Sequence, residues 1–135
     1  MIVIAIDASS LAKYILREKN WRDVRDPLVD EVFSLNLALA EVSNAVWKHN
    51  VLYGKISEEQ ANKMFKALEK LRDVVIFEPL EKYLESAIKI AINKIITVYD
   101  ALYIAQAKEI GKLLTSDEKQ RKTAKELGID VVFIE

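Results

Sequence analysis

Short β-branched runs alternate with longer stretches of helical period along nearly the whole chain, and this alternation limits the fold more than any other feature. Ile2 to Ile6, Val32 to Leu35, Val74 to Phe77, Lys112 to Thr115 and Asp130 to Ile134 have the length and composition of strands. Between them lie helical segments: one from Ser9-Ser10 through Arg17, Leu37 to Tyr53 stopped at Gly54, and one opened by the Ser57/Gln60 capping box and running to Leu71. Leu80 to Ile92, Val98 to Ile110 ended by Gly111, and Asp117 to Leu127 stopped by Gly128 follow. Glu18 to Asp30, polar and containing Pro27, reads as a connection. Parallel neighbours need a crossover between them, which a helix supplies. The class is therefore α/β, a three-layer sandwich with a mainly parallel central sheet flanked by helices. No repeat, linker or low-complexity tract interrupts residues 1–135, which are expected to form a single domain.

The chain has 135 residues, 51% of them hydrophobic and 30% charged, a balance that excludes disorder and supports a real core. It contains no cysteine, so disulfides, thiolate metal sites and a cysteine nucleophile are excluded. No run approaches the roughly 18 apolar residues of a membrane helix, and the opening lacks the basic segment of a signal peptide. No membrane role and a cytoplasmic location are expected. The formal net charge is -1, so attraction to a nucleic acid has to come from a local basic patch.

Four acids stand where an ordinary solvated carboxylate is out of place. Asp7 ends the first apolar strand and precedes a helix. Glu41 interrupts Leu37-Ala-Leu-Ala-Glu-Val42 on the stripe shared with Ala38, Val42 and Ala45. Asp100 is the one charged residue between Thr97 and Ala107, and Asp117 closes Leu113-Leu-Thr-Ser-Asp117 at the start of a helix. Each has a structural alternative. Asp7 and Asp117 suit helix caps, Thr97 to Asp100 fits a capping pattern, and Glu41 suits a buried salt bridge. A single cluster accounts for all four at once. Two carboxylates about 4 Å apart repel by about 4 kcal/mol at an effective dielectric near 20, so such a cluster needs a cation or protons. Hard oxygen ligands without His or Cys point to Mg²⁺ or Mn²⁺, and the lone His49 reads as a surface residue.

These motifs resemble the PIN-domain superfamily, and more closely its VapC-type toxins. Ile4-Ala-Ile-Asp-Ala-Ser9 is similar to the family's first strand with its Asp-x-Ser/Thr. Leu39-Ala-Glu-Val-Ser-Asn44 is similar to the helix carrying the family's Glu. Val98-Tyr-Asp-Ala-Leu-Tyr-Ile-Ala105 followed by Leu113-Leu-Thr-Ser-Asp117 is the most specific part. The resemblance implies a ribonuclease with Asp7, Glu41, Asp100 and Asp117 as catalytic and metal-binding acids. It makes Ser9 and Thr115 supporting hydroxyls, and gives Asn44 a part in orienting Glu41. It also implies a bound Mg²⁺ or Mn²⁺ held chiefly by Asp7 and Asp100, water attack on a phosphodiester, a homodimer, and a cognate antitoxin that holds the enzyme inactive.

RNA approaching an acidic pocket needs flanking cations, for which Lys13, Arg17, Lys119, Arg121 and Lys122 are the candidates, a solvated helix face being the alternative. Trp21 beside Arg22 and Arg25 offers a base-stacking face or a packing contact, while Tyr99 and Tyr103 read as packing residues. The apolar helices from Leu37 to Lys70 carry surface for a partner groove or dimer face. A stand-alone RNA-processing nuclease would share the four acids. A haloacid-dehalogenase-like phosphatase needs a second Asp where Ser9 stands, and a binding domain would use the acids only as caps and salt bridges.

Overall fold

The computed structural model describes residues 3–135; Ile2, the first residue of the predicted opening strand, lies outside them. Five parallel strands form one sheet in the order β3-β2-β1-β4-β5. They are β1 (Val3–Ile6), β2 (Glu31–Leu35), β3 (Val75–Glu78), β4 (Lys112–Thr115) and β5 (Asp130–Phe133). The α/β class with a parallel sheet flanked by helices is thus what the chain adopts. The helices are α1 (Ala8–Leu16), α2 (Trp21–Arg25), α3 (Leu37–Trp47), α4 (Glu58–Leu71), α5 (Leu84–Lys94), α6 (Val98–Ile110) and α7 (Glu118–Glu126).

β1 lies at the centre, and Ile4, Ala5 and Ile6 are buried together, as expected of a parallel strand covered on both faces. Helices α1 to α4 pack against one another, and α5 to α7 form a second group in which α6 lies on β1 and β2. Residues Ala101 to Ala107 of α6 are all buried, which explains why its sequence is apolar nearly all round.

The strand order fixes where chemistry can occur. From β1 the chain winds through β2 to β3 on one side, then crosses to place β4 and β5 on the other. The crevice beyond the carboxyl ends of β1 and β4 is therefore the topological switch point, where neighbouring connections diverge and leave an opening. Asp7 sits directly after β1, its N–H donating to the Leu114 carbonyl at 3.3 Å, and Asp117 follows β4 by two residues.

Several boundaries differ from the sequence expectation. The Glu18–Asp30 connection contains α2 and a 3₁₀ turn over Asp26–Val29, anchored by buried Val24 and Leu28. The predicted Leu37–Tyr53 helix widens into a π-helical turn at Lys48–Leu52, and the predicted Leu80–Ile92 helix opens with a 3₁₀ turn, Leu80–Tyr83, after Pro79.

Candidate active site

Asp7 is the buried centre of the crevice, 2% exposed. As N-cap of α1 it accepts from the Ser10 N–H at 3.3 Å, so the capping role expected as an alternative is real. Capping uses only part of the carboxylate. Ser9 Oγ donates to Asp7 Oδ1 at 2.6 Å, and Thr115 Oγ1 donates to Asp7 Oδ2 from the end of β4. Ser9 and Thr115 thus hold both oxygens of the Asp7 carboxylate. Ser10 Oγ and Ser116 Oγ, 2.8 Å apart, tie the start of α1 to the end of β4. The Ser116 N–H also donates to Ser9 Oγ at 2.9 Å.

Burial pushes the Asp7 carboxyl up to about 6; Ser9, Thr115 and Ser10 oppose that rise by hydrogen bonding, and Asp117 adds to it. Asp117 caps α7, its Oδ1 accepting from the N–H groups of Lys119 at 2.8 Å and Gln120 at 3.3 Å. Its own N–H donates to Thr115 Oγ1 at 3.1 Å, so one threonine positions both aspartates.

Asp100 lies in the first turn of α6, where Thr97 is the N-cap and takes the Asp100 N–H at 3.2 Å. The cap engages the backbone of Asp100. Burial and the nearby Asp117 charge raise its carboxyl, while Thr97 and the Lys119 charge oppose the rise. Glu41 on α3 is half-buried, and the salt bridge offered as its alternative is absent among the described residues. Its partner is Tyr103, whose hydroxyl donates to Oε1 at 2.6 Å. Burial raises Glu41, the tyrosine lowers it, and the Asp100 charge raises it again.

The four acids therefore share one electrostatic environment, with Asp117 acting on Asp7 and Asp100, and Asp100 acting on Glu41. Burial raises Tyr103 strongly, and the charges of Glu41, Asp7 and Asp100 all add to the effect. None of the four acids has a salt-bridge partner among the described residues. An all-carboxylate donor set with no compensating ion pair suits a hard divalent cation. Among the described residues, however, no three acidic or imidazole groups already stand in an arrangement that could hold a metal.

Tyr103 is the residue that sequence reasoning missed. The expected packing holds, at 2% exposure, and its position one turn after Asp100 is the available signal for a second role. Tyr99, also expected to pack, is instead 61% exposed, because it lies in the first turn of α6 ahead of the buried stretch Ala101 to Ala107. Asn44 is exposed and shares a recess with Glu41, with no hydrogen bond between them among the described residues. Trp21 is engaged within the chain: Arg17 lies 3.9 Å and Arg22 4.8 Å from its ring centroid, and Tyr14 meets it edge-on.

The basic candidates are distributed unevenly. Lys119 is exposed beside Asp100, and Lys122 is exposed on the same helix. Arg121 pairs with Glu118 at 3.3 Å and stacks on Phe133, while Lys13 donates to the Lys19 carbonyl at 3.2 Å. His49 is hydrogen-bonded through Nδ1 to the Ala45 carbonyl at 2.9 Å, a local contact on its own helix. No helix among the described residues is long and apolar enough to cross a membrane.

Residues 4–126 match the PIN domain as a family. The chain is 32% identical over 119 residues to Ribonuclease VapC3 of Pyrobaculum aerophilum, covering 86% of this chain and 90% of that protein. It is 27% identical over 126 residues to Exonuclease VapC9 of the same organism, covering 93% of this chain and 88% of that protein. Among solved structures, PAE2754 from Pyrobaculum aerophilum superposes with a TM-score of 0.70 at 25% identity, covering 98% of this chain and 90% of that one. A chain of VapBC2 from Rickettsia felis, solved bound to a DNA fragment from its promoter, has the same fold. It superposes with a TM-score of 0.65 at 12% identity, covering 99% of this chain and 100% of that one. Sequence match and fold agree: this chain belongs to the PIN-domain family.

Proposed function

We propose that this PIN-domain protein is a divalent-metal-dependent endoribonuclease, the toxin of a VapBC-type pair, acting in the cytoplasm on an RNA phosphodiester. What supports this reading is the membership of the PIN-domain family together with the pairwise charge effects among the four acids, Asp117 on Asp7 and Asp100 and Asp100 on Glu41, none of which has a salt-bridge partner among the described residues. Their chemistry fits Mg²⁺ or Mn²⁺. When bound, such an ion supplies Lewis-acid stabilisation of the phosphoryl oxygens and a more acidic water.

In this reading Asp7 and Asp100 hold the ion. Asp7 is fixed in place by Ser9 and Thr115. Asp117 and Glu41 orient water or complete a second metal position. Tyr103 fixes the rotamer of Glu41. Lys119 at the rim meets the RNA backbone, whose charge the acidic crevice would otherwise repel.

A cognate antitoxin and a homodimer complete the reading, supported by the names of the relatives and by exposed apolar side chains. Trp47, Val51, Leu52 and Tyr53, at the end of α3 and the turn after it, are each at least 45% exposed. Light scattering of the purified chain reads its oligomeric state. Binding to the folded state alone, at about 100 times the dissociation constant, adds about 2.7 kcal/mol of stability. Millimolar Mn²⁺ should therefore raise the melting temperature of the wild type and leave that of Asp7→Asn unchanged. A wild type indifferent to Mn²⁺ argues for a binding domain whose acids are only caps. Because one relative is named an exonuclease, circular RNA is the discriminating substrate: an endonuclease opens it, and an exonuclease leaves it intact.

A further inference from the structure

Ile95 ends α5 with φ 56° and ψ 52°, in the left-handed region. A β-branched side chain is sterically strained there, whereas glycine adopts that region freely, as Gly111 does after α6 at φ 104°. Packing does not compensate for the strain, because Ile95 is 91% exposed; Ile92, one turn earlier, is 76% exposed. Both border a recess of about 520 Å³, large enough for a nucleotide. Ala91, Ile92 and Ile95 form its apolar wall, while Asp100, Lys119 and Thr123 lie among its polar lining.

This combination selects its occupant. Asp100 disfavours a free anion in the recess, and the Lys119 cation disfavours a purely apolar ligand. A nucleobase has an apolar face and a polar edge and brings its own phosphate, so in one orientation it satisfies both walls and Lys119. The recess shares Asp100 with the acidic crevice, so a base seated there belongs to a nucleotide next to the bond under attack. We propose that this recess is a nucleobase subsite in which single-stranded RNA places one base against Ile92 and Ile95 and a phosphate against Lys119. Ile95 is then a specificity-determining residue. The proposal rests on the nuclease reading of the acidic crevice.

Ile95→Gly removes the side chain and relieves the backbone strain, so the variant should melt no lower than wild type. Binding is read by fluorescence anisotropy of a short labelled single-stranded oligoribonucleotide of mixed sequence in EDTA. The Kd of Ile95→Gly should rise roughly tenfold, with Ile92→Ser behaving likewise. In cleavage with Mn²⁺, KM should rise while kcat stays close to wild type, and the preference for the base beside the cut should relax. An unchanged Kd and KM overturns the subsite while leaving the nuclease reading intact. Wild type that binds RNA and discriminates against Ile95→Gly, yet cuts nothing, overturns the nuclease reading and keeps the subsite. Wild type that neither binds nor cleaves overturns both. A fall in oligomeric mass of Ile95→Gly by light scattering also overturns the subsite, because the face is then an interface between copies of the chain.

Discussion

The Tyr103 hydroxyl reaches from α6 to Glu41 on α3 at 2.6 Å, across 62 residues of sequence, and is the one side-chain hydrogen bond made by that acid among the described residues. Burial and the Asp100 charge both push Glu41 toward its protonated form, and the tyrosine opposes them. Tyr103→Phe should therefore move Glu41 still higher and cost about 1 kcal/mol of stability. The acid limb of the pH–rate profile should shift upward, with activity recovered at higher pH. Superimposable profiles for wild type and variant would show that Glu41 has no part in the rate.

Asp7 makes the metal-free protein pH-sensitive in a definite direction. Its carboxyl lies near 6 folded against 3.8 for the free group, so the folded state binds its proton more tightly. The stabilisation is complete below the lower value and is lost as the pH rises through the higher one. In EDTA, Asp7→Asn should exceed wild type by about 1 to 3 kcal/mol at pH 7.5 and match it near pH 4. Urea melts at the two pH values check this, and a gap that does not change with pH would contradict it.

Glu78, at the end of β3, behaves in the opposite sense and serves as a structural control. Burial alone would raise it, but hydrogen bonds from Lys82, Tyr83 and Gln106 outweigh that and leave it below its usual value. Its contribution to stability is present above the ordinary carboxyl range and is lost as the pH falls below it. Glu78→Ala removes the acceptor shared by Lys82, Tyr83 and Gln106, so about 2 kcal/mol of stability should be lost. The kcat per folded molecule should be retained. A loss of kcat larger than the loss of folded protein would place Glu78 in the reaction.

What the sequence revealed and what it hid have separate physical causes. Asp7, Glu41 and Asp100 were conspicuous because each breaks an apolar run that burial would otherwise leave uniform. The strand alternation was legible for the same reason, since parallel strands covered on both faces read as unbroken β-branched segments. The pairing of β1 with β4 was not legible, because no residue in either strand names its neighbour, and the switch point follows from that pairing. Tyr103 was hidden because an aromatic inside an apolar helix already has a sufficient explanation in packing. Its hydrogen bond depends on how α6 passes α3. The α2 helix was hidden because its few residues are held by Arg17 stacked on Trp21 and by buried Val24, which are tertiary contacts rather than helical propensity.

Cleavage of a mixed RNA pool by wild type and Asp100→Asn, each purified free of any bound inhibitor, tests the central claim most directly. The claim is that these acids together hold a divalent ion that cuts RNA. With Mg²⁺ or Mn²⁺ the wild type should cleave, EDTA should abolish cleavage, and Asp100→Asn should lose about a hundredfold or more in rate while melting as a folded protein. An Asp100→Asn variant that cuts at the wild-type rate would contradict the claim.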